Sequence, residues 1–174
     1  MLDRYTWRHN NIVHIMLKNI KPTSDNTTKV YADIEGETIN GGTIPPNITP
    51  TQQKPDICHI DNENKTITII ELTIPFETNI DNAHQRKQDR YASLTHDITA
   101  TGWKCNLLCI EIGSRGLITP QNKSRLKELL KLSDYSAKYP DFRDEIVKTI
   151  LFSSYVIFQG RCEPAWQIDQ YLKV

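Results

Sequence analysis

The stretch "DICHIDNENKTITIIELTIP", residues 56–75, decides how the chain folds. Two apolar runs, "DICHI" and "KTITIIELTI", are divided by the polar "DNEN", the pattern of a β-hairpin with a polar turn. Asp56 stands at a Lys-Pro-Asp corner just before the first run, and Glu71 lies inside the second. A carboxylate among isoleucines is costly to bury unless an arginine, a lysine or a metal ion compensates it. Side chains alternate along strands, so register decides whether the two acids share a face. If Ile60 pairs with Ile67, Asp56 falls opposite Glu71, with Cys58, Ile60, Ile67 and Ile69 on that same face. A slip of one residue separates them.

The segment after the hairpin, "DNAHQRKQDRYASLTHDITATG", has a helical pattern, with Asp81 as an N-cap and Gly102 near its end. Ile80, His84, Lys87, Tyr91, Leu94 and Ile98 follow three-and-four spacing and form one stripe. Its C-terminal half is apolar and suits packing on a sheet, while its N-terminal half is ionisable. Such a stripe places one end of the helix over a polar site. The expected cluster is Asp56, Glu71 and Lys87, with His84 and Tyr91 nearby. Two hard carboxylates beside a cation suit Mg²⁺ or Mn²⁺ better than zinc, and the set fits phosphodiester hydrolysis.

The flanking sequence completes one mixed α/β domain over residues 1–174. An N-terminal helix of about residues 4–20 carries Ile12, Met16 and Ile20, with Val13 and Leu17 beside them, and ends before Pro22. "KVYADIEG" is a strand closing at Gly36, and residues 37–54 form a long Gly-, Pro- and Thr-rich loop. The hairpin and its helix take residues 55–100, and "WKCNLLCIEIG" is another strand. C-terminal helices occupy about residues 121–160, the last largely apolar after Ile146 and so expected to pack on the core.

A net charge of zero argues against attraction of the whole chain to a polyanion, though not against a local basic face. No apolar run approaches the ~20 residues that span a bilayer, so no membrane partner is expected, and no signal-peptide pattern opens the chain. Four cysteines, Cys58, Cys105, Cys109 and Cys162, suit thiols buried as small hydrophobes. A zinc site joining Cys105 and Cys109 to Cys58, His59 or Cys162 has no CxxC pairing behind it. "IGSRG" lacks the glycine two residues before Ser114 that a nucleophile elbow needs.

Lys54-Pro55-Asp56, fourteen further residues and Glu71 resemble the restriction-like endonuclease domain of site-targeting non-LTR retrotransposons, within the PD-(D/E)xK nuclease superfamily. "RYTWRHNNIV", "VYADIEG", "GGTIPP", "ELTIPFETNIDNAHQRKQDRY", "IEIGSRG" and "SSYVIFQGR" extend the resemblance over nearly the whole chain. It implies a restriction-endonuclease-like core, a central mixed β-sheet with flanking helices. It also implies metal binding by Asp56 and Glu71, and catalytic roles for these two with Lys87 and Tyr91. The usual pattern has lysine two residues after the glutamate, where this chain has Thr73; Lys87 matches the lysine that these retrotransposon domains carry on the following helix.

By the same resemblance the domain would nick target DNA in the nucleus. It would do so as the endonuclease part of a polyprotein carrying reverse transcriptase and nucleic-acid-binding domains. Phosphate contacts are expected from Arg4, Arg8, Lys54, Arg86, Arg90, Arg115, Lys123 and Arg125. The alternative is a nuclease-fold module that has lost catalysis and binds nucleic acid or protein, for which Thr73 is the motive.

Overall fold

Both faces of the hairpin's second strand are apolar, which requires cover on both sides of a sheet. The computed structural model, which describes residues 3–20, 27–34, 37–133 and 138–162, supplies it. The elements are α1 (Asp3–Asn19), β1 (Thr28–Ile34), β2 (Glu37–Ile39), β3 (Ile57–Asp61), β4 (Thr66–Thr73), α2 (Ile80–Ala100), β5 (Lys104–Glu111), α3 (Pro120–Leu130) and α4 (Tyr139–Gln159). Short 3₁₀ turns precede α2 at Glu77–Asn79 and follow α4 at Gly160–Cys162. The ends expected at Pro22 and Gly36 lie outside the described residues, as does the end of the chain beyond residue 162.

The sheet is mixed α/β in the expected sense, with strand order β2-β1-β3-β4-β5. β4 runs antiparallel to β3 and parallel to β5. Ile60 pairs with Ile67 and Ile57 with Ile70, so the register is the one that sets Asp56 against Glu71. The turn holds this register locally. Asp61 accepts from the Asn64 backbone N–H at 3.0 Å and from its side-chain amide at 2.7 Å, and Lys65 takes a left-handed φ of 47°.

Alternation then sorts the side chains into two cores. Ile57, Ile70, Leu72, Leu108 and Ile110 face α1, α3 and α4, meeting Ile12, Met16, Leu126, Leu129, Phe142 and Ile146. Cys58, Ile60, Ile67 and Ile69 face α2, meeting Tyr91, Leu94 and Ile98. Ile44 and Ile48 of the long loop close this second core, so the loop packs as its cover. Each buried isoleucine is worth about 1.5–3 kcal/mol. A slip of one residue would exchange the two faces of β4 and put Glu71 into the aliphatic core.

Three expectations need correction. The loop contains β2, a three-residue edge strand paired with β1; too short to show alternation, it gives no periodic signal. α2 begins one residue before Asp81 and is led in by the 3₁₀ turn, so Asp81 lies in the first turn and not at the cap. Gly102 does end the helix, at φ 84°. α4 is only half buried: Ile146, Ile150, Val156 and Ile157 face the core, while Leu151, Phe152, Tyr155 and Phe158 are exposed. An apolar helix thus shows solvent a face that composition alone assigns to the interior.

All four cysteines are free. Burial pushes the Cys58 and Cys109 thiols up to about 12 and Cys105 to about 11, leaving negligible thiolate at neutral pH. Cys162 is exposed. An aromatic disulfide reagent at pH 8 is expected to titrate one thiol rapidly in native protein and four in denaturant; a Cys162→Ser variant should lose the fast phase.

Candidate active site

The site forms where the start of β3 meets the C-terminal half of β4. Asp56 and Glu71 are joined through the backbone: the Asp56 N–H donates to Glu71 Oε1 at 3.1 Å. In return the Leu72 N–H donates to Asp56 Oδ2 at 2.7 Å. This reciprocal pair continues the β3–β4 ladder with carboxylates, which is why the register fixes their separation.

Glu71 has a side chain only 1% exposed, and Lys87 Nζ donates to its Oε2 at 2.6 Å. Lys87 reaches it from α2, one side of the stripe that also buries Tyr91, Leu94 and Ile98. Thr73, two residues on, shares the face of Glu71 by alternation. The ammonium thus arrives from the covering helix where a strand lysine at that position would otherwise stand. The Tyr91 hydroxyl donates to the Lys54 carbonyl at 3.4 Å, tying α2 to the Lys-Pro corner. Burial and the neighbouring Glu71 push the Tyr91 pKa up, so it serves as a neutral donor.

His9 of α1 completes the constellation, its Nε2 lying 3.0 Å from Asp56 Oδ2. No sequence expectation named it. The rule that picks out Lys87 does find it: extending the α1 stripe backwards from Met16 and Ile12 leads to His9. Burial alone would raise the Asp56 pKa, but the bonds from His9 and Leu72, with the charge of Lys87, hold it below the usual range. Glu71 moves the other way, raised by burial and by the charge of Asp56, with Lys87 only partly offsetting them. Burial would lower the His9 pKa, yet its bond to Asp56 wins and raises it. Two adjacent carboxylates are thereby driven apart in acidity.

A second polar cluster lies one strand over. Cys109 pairs with Glu71 and Glu111 with Thr73 in the parallel register, so all four point towards α2. Glu111 is fully buried; its Oε1 meets His84 Nδ1 at 3.1 Å and its Oε2 meets Arg125 Nη1 at 3.0 Å. Arg125 Nη2 reaches His84 Nε2 at 3.2 Å, and the Asn122 side-chain oxygen accepts from both the Glu111 N–H and Arg125. Asn122 is itself fixed by the Thr119 cap of α3.

Donor atoms of His84, Cys109 and Glu111 all lie within 4.8 Å of one another, and among the described residues they are the group dense enough for a metal. The donor chemistry fits poorly. Both Glu111 oxygens and both His84 nitrogens are already bonded, Arg125 supplies the compensating positive charge, and Cys109 is held as a thiol. The residues at Asp56 fit a hard cation better. Among the described residues Asp56 Oδ1 has no hydrogen-bond partner, and it belongs to a carboxylate kept ionised beside an imidazole.

A cleft of about 980 Å³ opens beside the carboxylate pair, walled by His9, Leu72, Thr73 and Lys87. Arg8, Arg86, Lys87, Arg90, Arg115 and Arg161 line it, and no aspartate or glutamate does among the described residues. A chain of zero net charge therefore gathers positive side chains at this cleft. The expected phosphate contacts divide accordingly. Arg8, Arg86, Arg90 and Arg115 line the cleft, whereas Lys54 pairs with Asp33 at 2.8 Å and Arg4 donates to the Gly160 carbonyl. Arg125 is committed to Glu111, and Lys123 lies exposed on α3 outside the cleft.

No family model matches the chain, and no curated protein matches it. A solved N-terminal domain of a reptarenavirus L protein is similar at 27% identity, with a TM-score of 0.34 over 60% of this chain. The match spans 57% of that domain. So loose a superposition carries no weight for the residues described above.

Proposed function

We propose that this chain is a divalent-metal-dependent DNA endonuclease, which nicks target DNA as the endonuclease part of a retrotransposon reverse transcriptase polyprotein. The observation that supports it is the reciprocal Asp56–Glu71 pair, capped by Lys87, with its neighbours His9, Leu72 and Lys87 in the wall of a cationic cleft. Asp56 and Glu71 would hold Mg²⁺ or Mn²⁺, with His9 beside them; such an ion supplies Lewis acidity and an acidified water. Arg86 and Arg90 form no ion pair among the described residues and would hold the phosphodiester across the cleft. Lys87 would orient the attacking water and offset charge that grows on the phosphate. Water oxygen bonds to phosphorus, the P–O3′ or P–O5′ bond breaks, and the departing oxygen takes a proton. Reverse transcriptase and nucleic-acid-binding domains of the same polyprotein would supply target affinity, in the nucleus.

A catalytically silent binding module is favoured by one observation: both Glu71 oxygens are already engaged, by Lys87 and by the Asp56 N–H. Supercoiled plasmid distinguishes the two. With Mn²⁺ the protein is expected to convert it to open circles, and Asp56→Ala to lower the rate at least a thousandfold, as removal of metal ligation should. Equal nicking by both proteins would remove the site from the reaction. DNA retention without nicking in any divalent metal would establish the silent module.

A further inference from the structure

Four of the cleft's cations have no carboxylate partner among the described residues, and three aromatic rings stand among them. Tyr5, Phe76 and Phe158 are 53%, 56% and 58% exposed, and all three line the cleft. Each carries a guanidinium: Arg8 lies 5.6 Å from the Tyr5 centroid, Arg115 4.8 Å from Phe76 and Arg161 3.9 Å from Phe158. One exposed ring is ordinary surface, and one arginine on a ring is an ordinary pair. Three such pairs converging on one cleft form an alternation of flat π-surfaces and positive charge.

Arg8 adds an independent sign. It is only 7% exposed, and its other nitrogens donate to Ser154 Oγ and the Ile74 carbonyl, at 2.9 and 3.1 Å. Among the described residues its Nε is buried without a hydrogen-bond partner, and no carboxylate forms an ion pair with it. A buried cation with an orphaned donor at the wall of a cleft calls for an anion from outside. Gly113 leaves room for the Glu77–Arg115 pair. A Cβ there would fall 2.6 Å from Glu77 Oε1, the carboxylate that anchors Arg115 beside Phe76.

From this we infer that the cleft takes an unpaired polynucleotide strand, its phosphates on Arg8, Arg86 and Arg90 and its bases stacked on Phe76, Phe158 and Tyr5. Duplex bases are stacked on one another and present no face to a protein ring, so a duplex would leave all three rings unused. An unpaired strand uses both features at once, because each base has a π-face whatever its identity. The inference rests on the nuclease reading for the cleft's purpose: it places the cut at a locally opened segment, beside His9 and Lys87. DNA and RNA strands share the chemistry that these residues recognise.

Fluorescence anisotropy in EDTA, with the full chain, tests it separately from cleavage. The probes are fluorescein-labelled dT12, a 12-base-pair duplex and rU12. The strand dT12 is expected to bind at least tenfold more tightly than the duplex. A Phe76→Leu/Phe158→Leu variant, with unchanged circular dichroism, is expected to lose about tenfold or more for dT12 and to hold the duplex within twofold. Comparable rU12 binding would support the same stacking mode with either sugar. Duplex binding as tight as dT12, or dT12 binding untouched by the double variant, would overturn the inference while leaving plasmid nicking unaffected. Loss of nicking ability with strand preference intact would instead remove the nuclease reading alone.

Discussion

Arg125→Leu should lower stability by about 3–5 kcal/mol, the cost of leaving one half of a buried ion pair without its partner. The fully buried Glu111 would keep only His84, and Asn122 would lose one of the two donors that its oxygen accepts. For a chain of this length the melting temperature should fall by roughly 10 °C or more. Replacing the pair together, Glu111→Leu/Arg125→Leu, should recover most of that loss, since an apolar pair need not desolvate a charge. Scanning calorimetry of the three proteins checks this. A double variant as unstable as the single one would mean that the cluster acts by more than charge balance. This cluster also holds α2 against β5 one helical turn before Lys87, so its integrity sets how Lys87 meets Glu71.

Lys87→Met has the second large effect. Lys87 donates to Glu71 without itself being a metal ligand, so its removal should lower nicking by about 10²–10³-fold. Mn²⁺ binding should persist at neutral pH. The positive charge of Lys87 opposes the burial and the Asp56 repulsion that raise Glu71. Without it the Glu71 pKa rises further, and the acid limb of the residual pH–rate profile must move to higher pH. Glu71→Gln should abolish nicking and metal binding together. If Lys87→Met leaves the acid limb in place, the lysine does not govern the ionisation of Glu71.

The hairpin's register was open in the letters and is fixed only by the turn, where Asp61 accepts from Asn64. The hairpin itself was legible because the spacing of its apolar residues marks it. The α2 stripe was legible for the same reason, its change from Ile98 and Leu94 to Lys87 and His84 marking where a polar site must lie. His9 escaped because α1 sits on the opposite sheet face, and only the Asp56 corner lets it reach round. Arg125 was expected at a phosphate because its partner, Glu111, is fourteen residues away, on a different element, at the end of β5. The exposed half of α4 was hidden by composition, since Phe152 and Tyr155 are as apolar as the residues that do pack.

Isothermal titration of Mn²⁺ into the intact protein, Asp56→Asn and Cys109→Ala decides between the two clusters that hold metal-ligating side chains. Binding is expected in the intact protein and in Cys109→Ala, and its loss in Asp56→Asn. Binding that survives Asp56→Asn but disappears in Cys109→Ala would contradict that expectation and move the metal to His84, Cys109 and Glu111.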